Sequence, residues 1–205
     1  TRRGIEVPFD VVEGATSCLR FLLAERRRTP GDLVEMVHPW ESGADDSPRW
    51  DSLVVGDLVG DAWYRRKGEL VQSITFDDTG APIANDECRV GSVAFSALIA
   101  WNARELSSLT GDVWLGERAV ELAEALSARW DPELRTWVDD GPTQDGSGRV
   151  RTLEAMLVSL VDPDERHVQA AMDELVSAAA YGATNGPTGV HREEPAFDPD
   201  TYWRG

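Results

Sequence analysis

One pattern dominates the amino-acid sequence: apolar residues return at spacings of three and four along most of its length. Such spacing places apolar side chains on one face of an α-helix. The apolar runs lie at residues 11–23, 53–63, 95–109, 115–130, 153–160 and 168–179. Strand signals are confined to Val71–Phe76 and Thr136–Val138, which are too short for a sheet of any size. The sequence therefore predicts an all-α protein of helical hairpins, forming a single domain over residues 1–205.

Charge limits the partners that the chain can bind. The formal net charge is −17, from 37 acidic and 20 basic residues. A field of this sign repels phosphate backbones and anionic membrane surfaces, so we expect neither nucleic acid nor membrane as a partner. No stretch approaches the roughly 18 apolar residues that a membrane span needs. A small neutral ligand fits best, although the charge can equally serve to keep the protein in solution.

Cysteine and histidine are sparse. Cys18 and Cys88 form no CxxC pair, and we expect buried free thiols in a reducing compartment, with one disulfide as the alternative. This expectation favours the cytoplasm. His167 and His191 have no His or Cys at ligand spacing, which predicts no metal site. Neither a P-loop nor a Rossmann glycine pattern is present, so no cofactor is predicted.

The segment His38–Asp51, with the sequence HPWESGADDSPRWD, is the densest in chemical groups. It holds four carboxylates, one Arg, one His and two Trp. One interpretation is a polar pocket walled by indole, in which a carboxyl group binds its proton tightly and acts as a general acid. The alternative is a network between helices, in which Arg49 pairs with Asp45, Asp46 or Asp51, Trp40 and Trp50 fill the core, and His38 is structural.

The remaining aromatic and acidic residues divide by position. Tyr202-Trp203, beside Arg204, has the composition of a second aromatic platform with a hydrogen-bonding neighbour. Four tryptophans fall in helical runs and are predicted core residues: Trp63, Trp101, Trp114 and Trp130. Glu193-Glu194 is interpreted as a solvated pair in the long loop that follows the last helix.

Two motifs resemble those of a known family. The segment His38–Asp51 resembles H-P-W-E-S-G-x-D-N-S-P-x-W-D, a signature of glycoside hydrolase family 63 and its bacterial relatives. These relatives include α-glucosidase-like enzymes and the mannosylglycerate and glucosylglycerate hydrolases. The terminal Tyr202-Trp203-Arg204-Gly205 resembles the start of the family's Y-W-R-G-P-x-W motif. The motifs occur in the family's order, and the resemblance spans nearly the whole chain.

The resemblance implies an (α/α)6 toroid-type helical barrel and an exo-acting, inverting glycosidase for an α-linked sugar. Its substrate would be a small neutral or weakly acidic saccharide, and the chemistry would need no metal or other cofactor. By motif position Asp45 is the catalytic general acid. The same positions imply a substrate-binding set of aromatic walls and of polar groups that hold hydroxyls or orient the acid: Trp40, Glu41, Asp46, Arg49, Trp50, Asp51, Tyr202, Trp203 and Arg204.

The sequence departs from the family pattern at two points. The usual Asn after the acid is Asp46, and an added carboxylate there can raise the pKa of Asp45, exchange roles with it or impair the site. The family's general base is a Glu downstream of Tyr202–Gly205, and the sequence begins without Met and ends at that motif. We therefore expect a piece of a longer protein and an incomplete barrel, completed by a C-terminal segment or by self-association. Glu193 or Glu194 as a substitute base is a weaker alternative.

Three functions are compatible with these features. The first is a glycosidase with Asp45 as its acid. The second is a non-catalytic carbohydrate-binding or structural barrel fragment that lacks the base. The third is another (α/α) barrel class, such as a trehalase-like or debranching enzyme. The identity of the sugar, its linkage and its aglycone cannot be read from the residues.

Overall fold

Helices form the scaffold, and three short antiparallel ribbons join them. The computed structural model describes residues 7–53, 61–141, 149–201 and 204. Within these ranges the α-helices are α1 (Phe9–Ala24), α2 (Asp61–Gln72), α3 (Val93–Thr110), α4 (Val113–Ser127) and α5 (Glu165–Val176). Segments of 3-10 helix occupy Pro39–Ser42, Pro48–Leu53 and Leu153–Leu160. The strands are β1 (Glu35–Met36), β2 (Ile74–Phe76), β3 (Pro82–Asn85), β4 (Val90–Gly91), β5 (Trp130–Asp131) and β6 (Thr136–Trp137), paired as β1–β4, β2–β3 and β5–β6.

Four of the six predicted helical runs are confirmed as α1, α3, α4 and α5 with shifts at their ends, whereas only the last three residues of the run at 53–63 lie in an α-helix, since α2 begins at Asp61. The run at 153–160 is a 3-10 helix, and the run at 115–130 ends at Ser127, so that Trp130 lies in β5. Of the run at 53–63, the residues Leu58 and Val59 lie outside the described part of the chain. The strand expected at Val71–Phe76 begins only at Ile74, because α2 continues through Gln72. No described helix is long and apolar enough to cross a lipid bilayer.

The hairpin of α3 and α4 forms the centre of the main core. The Ser92 side chain caps α3 by accepting a hydrogen bond from the Phe95 amide, and Asp112 caps α4 in the same way. Gly111 between the helices has φ of 76°, a left-handed conformation that glycine adopts without strain. Three alanines of α3 (Ala97, Ala100 and Ala103) share this core with three leucines of α4 (Leu115, Leu122 and Leu126).

The predicted core tryptophans differ in their burial. Trp63 is buried, and Trp114 and Trp130 are partly buried against the main core. The prediction is wrong for Trp101, which is 36% exposed on the outer side of α3. A regular apolar spacing cannot distinguish the edge of a helix's buried stripe from its centre, since both recur every three to four residues.

A buried asparagine fixes the start of the chemically dense segment relative to α2. The side-chain amide of Asn85 donates to the carbonyl of Val37 at 2.7 Å and to that of Leu70 at 2.8 Å. Its own oxygen accepts from Ser73 and from the amide of Glu87. Since an unpaired amide would be costly at this depth, these bonds hold β1, α2 and β3 in one arrangement.

The two thiols have opposite environments. Both are free, as expected, but only Cys88 is buried. Burial raises the pKa of the Cys88 thiol to about 12. The expectation of burial is wrong for Cys18, because only the Leu19 and Leu23 side of α1 faces the core.

We predict that a thiol reagent such as Ellman's reagent modifies one thiol per native chain at pH 8 and two in denaturant. The thiolate is the reactive form, and Cys88 is both inaccessible and held as the thiol. Cys18→Ser should abolish the native reaction and leave the denatured reaction at one thiol. Rapid native labelling of Cys88 in that variant would contradict the described packing.

Candidate active site

The segment after β1 adopts a tight, internally bonded conformation. Nδ1 of buried His38 accepts a hydrogen bond from the Trp40 amide at 3.1 Å, and this begins the 3-10 helix Pro39–Ser42. The ring's Nε2 lies 3.0 Å from the carbonyl of Lys67, so it carries the proton and donates. Desolvation lowers the pKa of His38 and favours this neutral ring. The alternative of a structural histidine thus fits the observed contacts.

The backbone on the N-terminal side of Asp45 is clamped from two directions. The Ser42 hydroxyl accepts from the amide of Ala44 at 2.9 Å, after Gly43 has turned the chain with φ of 71°. The indole Nε1 of Trp50 donates to the carbonyl of Ala44 at 2.9 Å. These bonds fix the position from which the Asp45 side chain projects.

A lysine from α2 lies directly against the carboxylates. The ammonium of Lys67 is 2.9 Å from Oδ2 of Asp45 and 2.9 Å from Oδ1 of Asp46. The indole of Trp63 also donates to Oδ1 of Asp46, at 2.6 Å. Lys67 is 1% exposed, whereas the side chains of Asp45 and Asp46 are 31% and 43% exposed. The acids therefore present one side to solvent and the other to a buried cation.

This cation reverses the expected protonation of Asp45. Burial raises the pKa of the carboxyl group, but the hydrogen bond and charge of Lys67 outweigh burial and hold the pKa below its usual value. The nearby Trp40 side chain acts on the pKa of the same group in the same direction. The expectation of a carboxyl kept neutral by an indole wall is thus wrong for the ligand-free protein, because the sequence pattern carried no sign of the lysine.

Two of the predicted substrate-binding residues are buried supports instead. Trp50 is 1% exposed and packs with Met36 and Trp63, so its indole does not form a wall of an open sugar subsite. Arg49 is 6% exposed and pairs with Asp139 at 2.7 Å, rather than with any carboxylate of its own segment. The packing alternative is correct for Trp50, but the pairing it predicted for Arg49 with Asp45, Asp46 or Asp51 is wrong, because a motif does not show which way a side chain points.

Other predicted residues combine ion pairing with partial exposure. Both carboxylate oxygens of Glu41 lie 3.0 Å from the guanidinium of Arg26, and one accepts from the Val37 amide at 2.8 Å. Asp51 accepts two hydrogen bonds from Arg204, at 2.9 and 2.6 Å, across 153 residues of sequence. The second motif is thus joined to the first. Tyr202 and Trp203 lie outside the described residues.

Trp40 is the exposed aromatic residue of the segment. It is 55% exposed, and its ring centroid lies 4.3 Å from that of His38. With Asp45 and Asp46 it forms an open surface that combines an indole face with two carboxylates. Such a surface matches a sugar ring, which has apolar faces and hydroxyls at its edge.

Sequence reasoning missed two basic residues that organise the site, Arg26 and Lys67. Arg26 is one of many arginines and has no motif around it. Lys67 carried a signal that could have been read, because it is the only lysine among the 20 basic residues. Glu193 and Glu194, the weaker candidates for a base, both pair with Arg151, and Glu194 is mostly buried. Within the described ranges, no group of three or more His, Cys, Asp or Glu side chains forms a metal site.

Comparison with known proteins agrees with the motifs. Residues 10–205 match the family described as the mannosylglycerate hydrolase MGH1-like glycoside hydrolase domain. A mannosylglycerate hydrolase of Rubrobacter radiotolerans is 28% identical in an alignment of 221 positions that covers 88% of this chain and 49% of that protein.

Solved structures share the fold. The family 63 mannosylglycerate hydrolase of Thermus thermophilus in complex with glucose has a TM-score of 0.75 at 24% identity, over 96% of this chain and 55% of that chain. Its complex with Tris and D-glycerate has a TM-score of 0.66 at 22% identity, over 96% of this chain and 56% of that one. The chain spans about half the length of the relatives that it matches.

The comparisons confirm two expectations from the sequence. The helical barrel fold is that of the family 63 structures, of which this chain accounts for about half. The resemblance carried by His38–Asp51 and Tyr202–Gly205 is also confirmed, since the family match includes both motifs. The chain belongs to the family of mannosylglycerate hydrolase MGH1-like glycoside hydrolase domains.

Proposed function

We propose that the protein is an inverting, exo-acting glycoside hydrolase in which Asp45 is the general acid. The observation that carries this proposal is the placement of Asp45, which is clamped through Ala44, lies near exposed Trp40 and is open to solvent on one side. It is supported by the position of Asp45 in the motif that the family match includes. The free thiols support the cytoplasmic location that the sequence predicts.

The proposed substrate is a small α-linked hexoside, with a glycosylglycerate as the first candidate. The relatives named as mannosylglycerate hydrolases, and the glucose and D-glycerate in complexes of the Thermus thermophilus protein, support this class. Trp40 would stack on the sugar ring. Arg204 and Asp51 would hold sugar hydroxyls with the donors and lone pairs that are not used in their own ion pair. By motif position, Tyr202 and Trp203 would belong to the same sugar-binding set.

The proposed chemistry needs a proton on Asp45 at the moment of bond cleavage. A bound sugar would exclude water from the exposed side of the carboxyl group and so favour its neutral form. The acid would then protonate the glycosidic oxygen while a second carboxylate activates water on the opposite face. The described residues supply the acid. By resemblance the base is a Glu that follows the Tyr202–Gly205 motif, in the part of the relatives' fold that this chain does not cover.

The lowered pKa of Asp45 favours a second candidate, a carbohydrate-binding protein without turnover. An acid held ionised by Lys67 binds hydroxyls well but donates no proton. The two candidates differ in one respect: only the hydrolase releases sugar from a glycoside with a poor leaving group.

We predict that Asp45→Asn lowers kcat for α-glucosylglycerate or α-mannosylglycerate by about 10²–10⁴-fold, the usual contribution of a general acid. Hydrolysis of the corresponding α-glycosyl fluoride should fall far less, because fluoride leaves without protonation. Sugar release and the anomeric form of the product are followed by proton NMR, with the β-anomer expected from inversion.

Controls separate this role from a structural one. The Asp45→Asn protein should retain its far-ultraviolet circular dichroism and its sugar affinity. Equal losses on both substrates would remove Asp45 from the role of acid. Sugar binding without any turnover by the full-length wild-type protein would support the binding candidate.

We further predict that Trp40→Ala weakens sugar binding by about tenfold, since an aromatic contact is worth roughly 0.5–1.5 kcal/mol beyond its burial. Because Trp40 is 55% exposed, the melting temperature should change little. The matched control is Trp101→Ala, which removes an exposed indole from α3, outside the proposed site. This variant should bind sugar normally. Binding is measured by calorimetry, and unchanged affinity of Trp40→Ala would exclude the stacking role.

A further inference from the structure

Lys67 contacts two adjacent carboxylates of the segment that carries the proposed acid. The sequence uses arginine for every other basic residue and places its single lysine beneath the proposed acid. There the ammonium lies over the rings of Trp63 and Tyr64, at 5.1 and 4.5 Å from their centroids, and contacts Asp45 and Asp46 at equal distances. A compact ammonium with three donors fits between two adjacent carboxylates, whereas a planar guanidinium would need a wider space.

The two carboxylates give this lysine two alternative partners. Oδ1 of Asp46 is anchored by the Trp63 indole, so it stays in place whether or not Asp45 is ionised. Lys67 therefore keeps a hydrogen-bonded counter-ion when Asp45 takes up a proton. A buried ammonium whose only partner was Asp45 would oppose that protonation strongly, because it would be left uncompensated.

The other charged and titratable groups around the pair are already compensated. Glu41, in the segment that carries the acid, is neutralised by Arg26. His38, which packs between Trp40 and α2, is held neutral by its hydrogen bonds and its burial. Asp51 is paired with Arg204. Asp46 and Lys67 are thus the charged partners that share one ion-pair cluster with Asp45, and their charges have opposite signs.

We propose that Asp46 and Lys67 are positioning residues that form a partly compensating pair, in which Asp46 gives Lys67 a second counter-ion and so limits the extent to which Lys67 holds Asp45 ionised. The role of this pair in catalysis rests on the proposed function, but the effect of the pair on the Asp45 proton can be measured without any turnover. Removing Asp46 alone should leave Lys67 to bind Asp45, and removing Lys67 alone should leave Asp45 beside a second negative charge. The two changes should act in opposite directions.

The test uses three variants and the wild-type protein: Asp46→Asn, Lys67→Met and the double variant. Carbon-13 NMR of labelled aspartate carboxyl groups measures the pKa of Asp45, assigned by its absence in Asp45→Asn. We expect Asp46→Asn to lower this pKa and Lys67→Met to raise it, each by about one unit, which corresponds to one tenfold step in proton affinity. The double variant should lie between the two single variants.

The single lysine supplies an independent reporter. Labelling with isotopic lysine gives one side-chain resonance, which belongs to Lys67. In the wild-type protein its nitrogen shift should follow the titration of both carboxylates, and in Asp46→Asn that of Asp45 alone. The matched control is Arg66→Met with Glu87→Gln, which removes a neighbouring ion pair on the exposed side of α2 and should move neither signal.

The outcomes separate this inference from the proposed function. Two results would overturn the compensation even if hydrolysis is found. In the first, the Asp45 pKa shifts in the same direction in both single variants. In the second, the pKa in the double variant equals that in one of the single variants. Opposite shifts in the single variants, with the double variant between them, would support it even without hydrolysis. Where turnover is measured, the alkaline limb of the kcat/KM profile should move with the NMR pKa, and a purely structural role of Lys67 would leave that limb in place.

Discussion

The geometry of the site depends on one buried ammonium held by two neighbouring carboxylates. Burying a charge is costly unless it is paired and hydrogen-bonded, so Lys67 ties α2 to the segment that carries Asp45 and Asp46. The same residue accepts the hydrogen bond of His38 with its carbonyl. A single helical residue thereby fixes both the start of the motif and its acids.

The other residues of His38–Asp51 either support the segment through ion pairs and packing or are exposed to solvent. Three ion pairs attach the segment to separate parts of the chain: Glu41 to Arg26 after α1, Arg49 to Asp139 after β6, and Asp51 to Arg204 near the end. Trp50 closes the turn before Asp45 from the buried side. These supports leave Trp40, Asp45 and Asp46 open to solvent, beside the partly exposed pair of Asp51 and Arg204.

Comparison with the relatives shows which of the family's motifs this chain contains. It covers about half of each mannosylglycerate hydrolase that it matches, and both recognised motifs lie within that half. The ion pair between Asp51 and Arg204 brings the two motifs together within this part of the fold. We propose that these residues assemble the acid side of a glycosidase site and that the base side lies in the part of the relatives' fold that this chain does not cover.

The sequence by itself determined the helical class, the family and the location of the acidic segment. Helical periodicity and a dense motif are local patterns, and both can be read without knowing which elements meet. It did not determine the directions of the side chains within the motif, so Trp50 and Arg49 were assigned to the ligand although both are buried. It also indicated the wrong sign for the pKa shift of Asp45, because the decisive charge comes from a residue 22 positions away on α2. Only the tertiary structure decided these points, since burial and electrostatic potential at a carboxylate depend on distances in space and not along the chain.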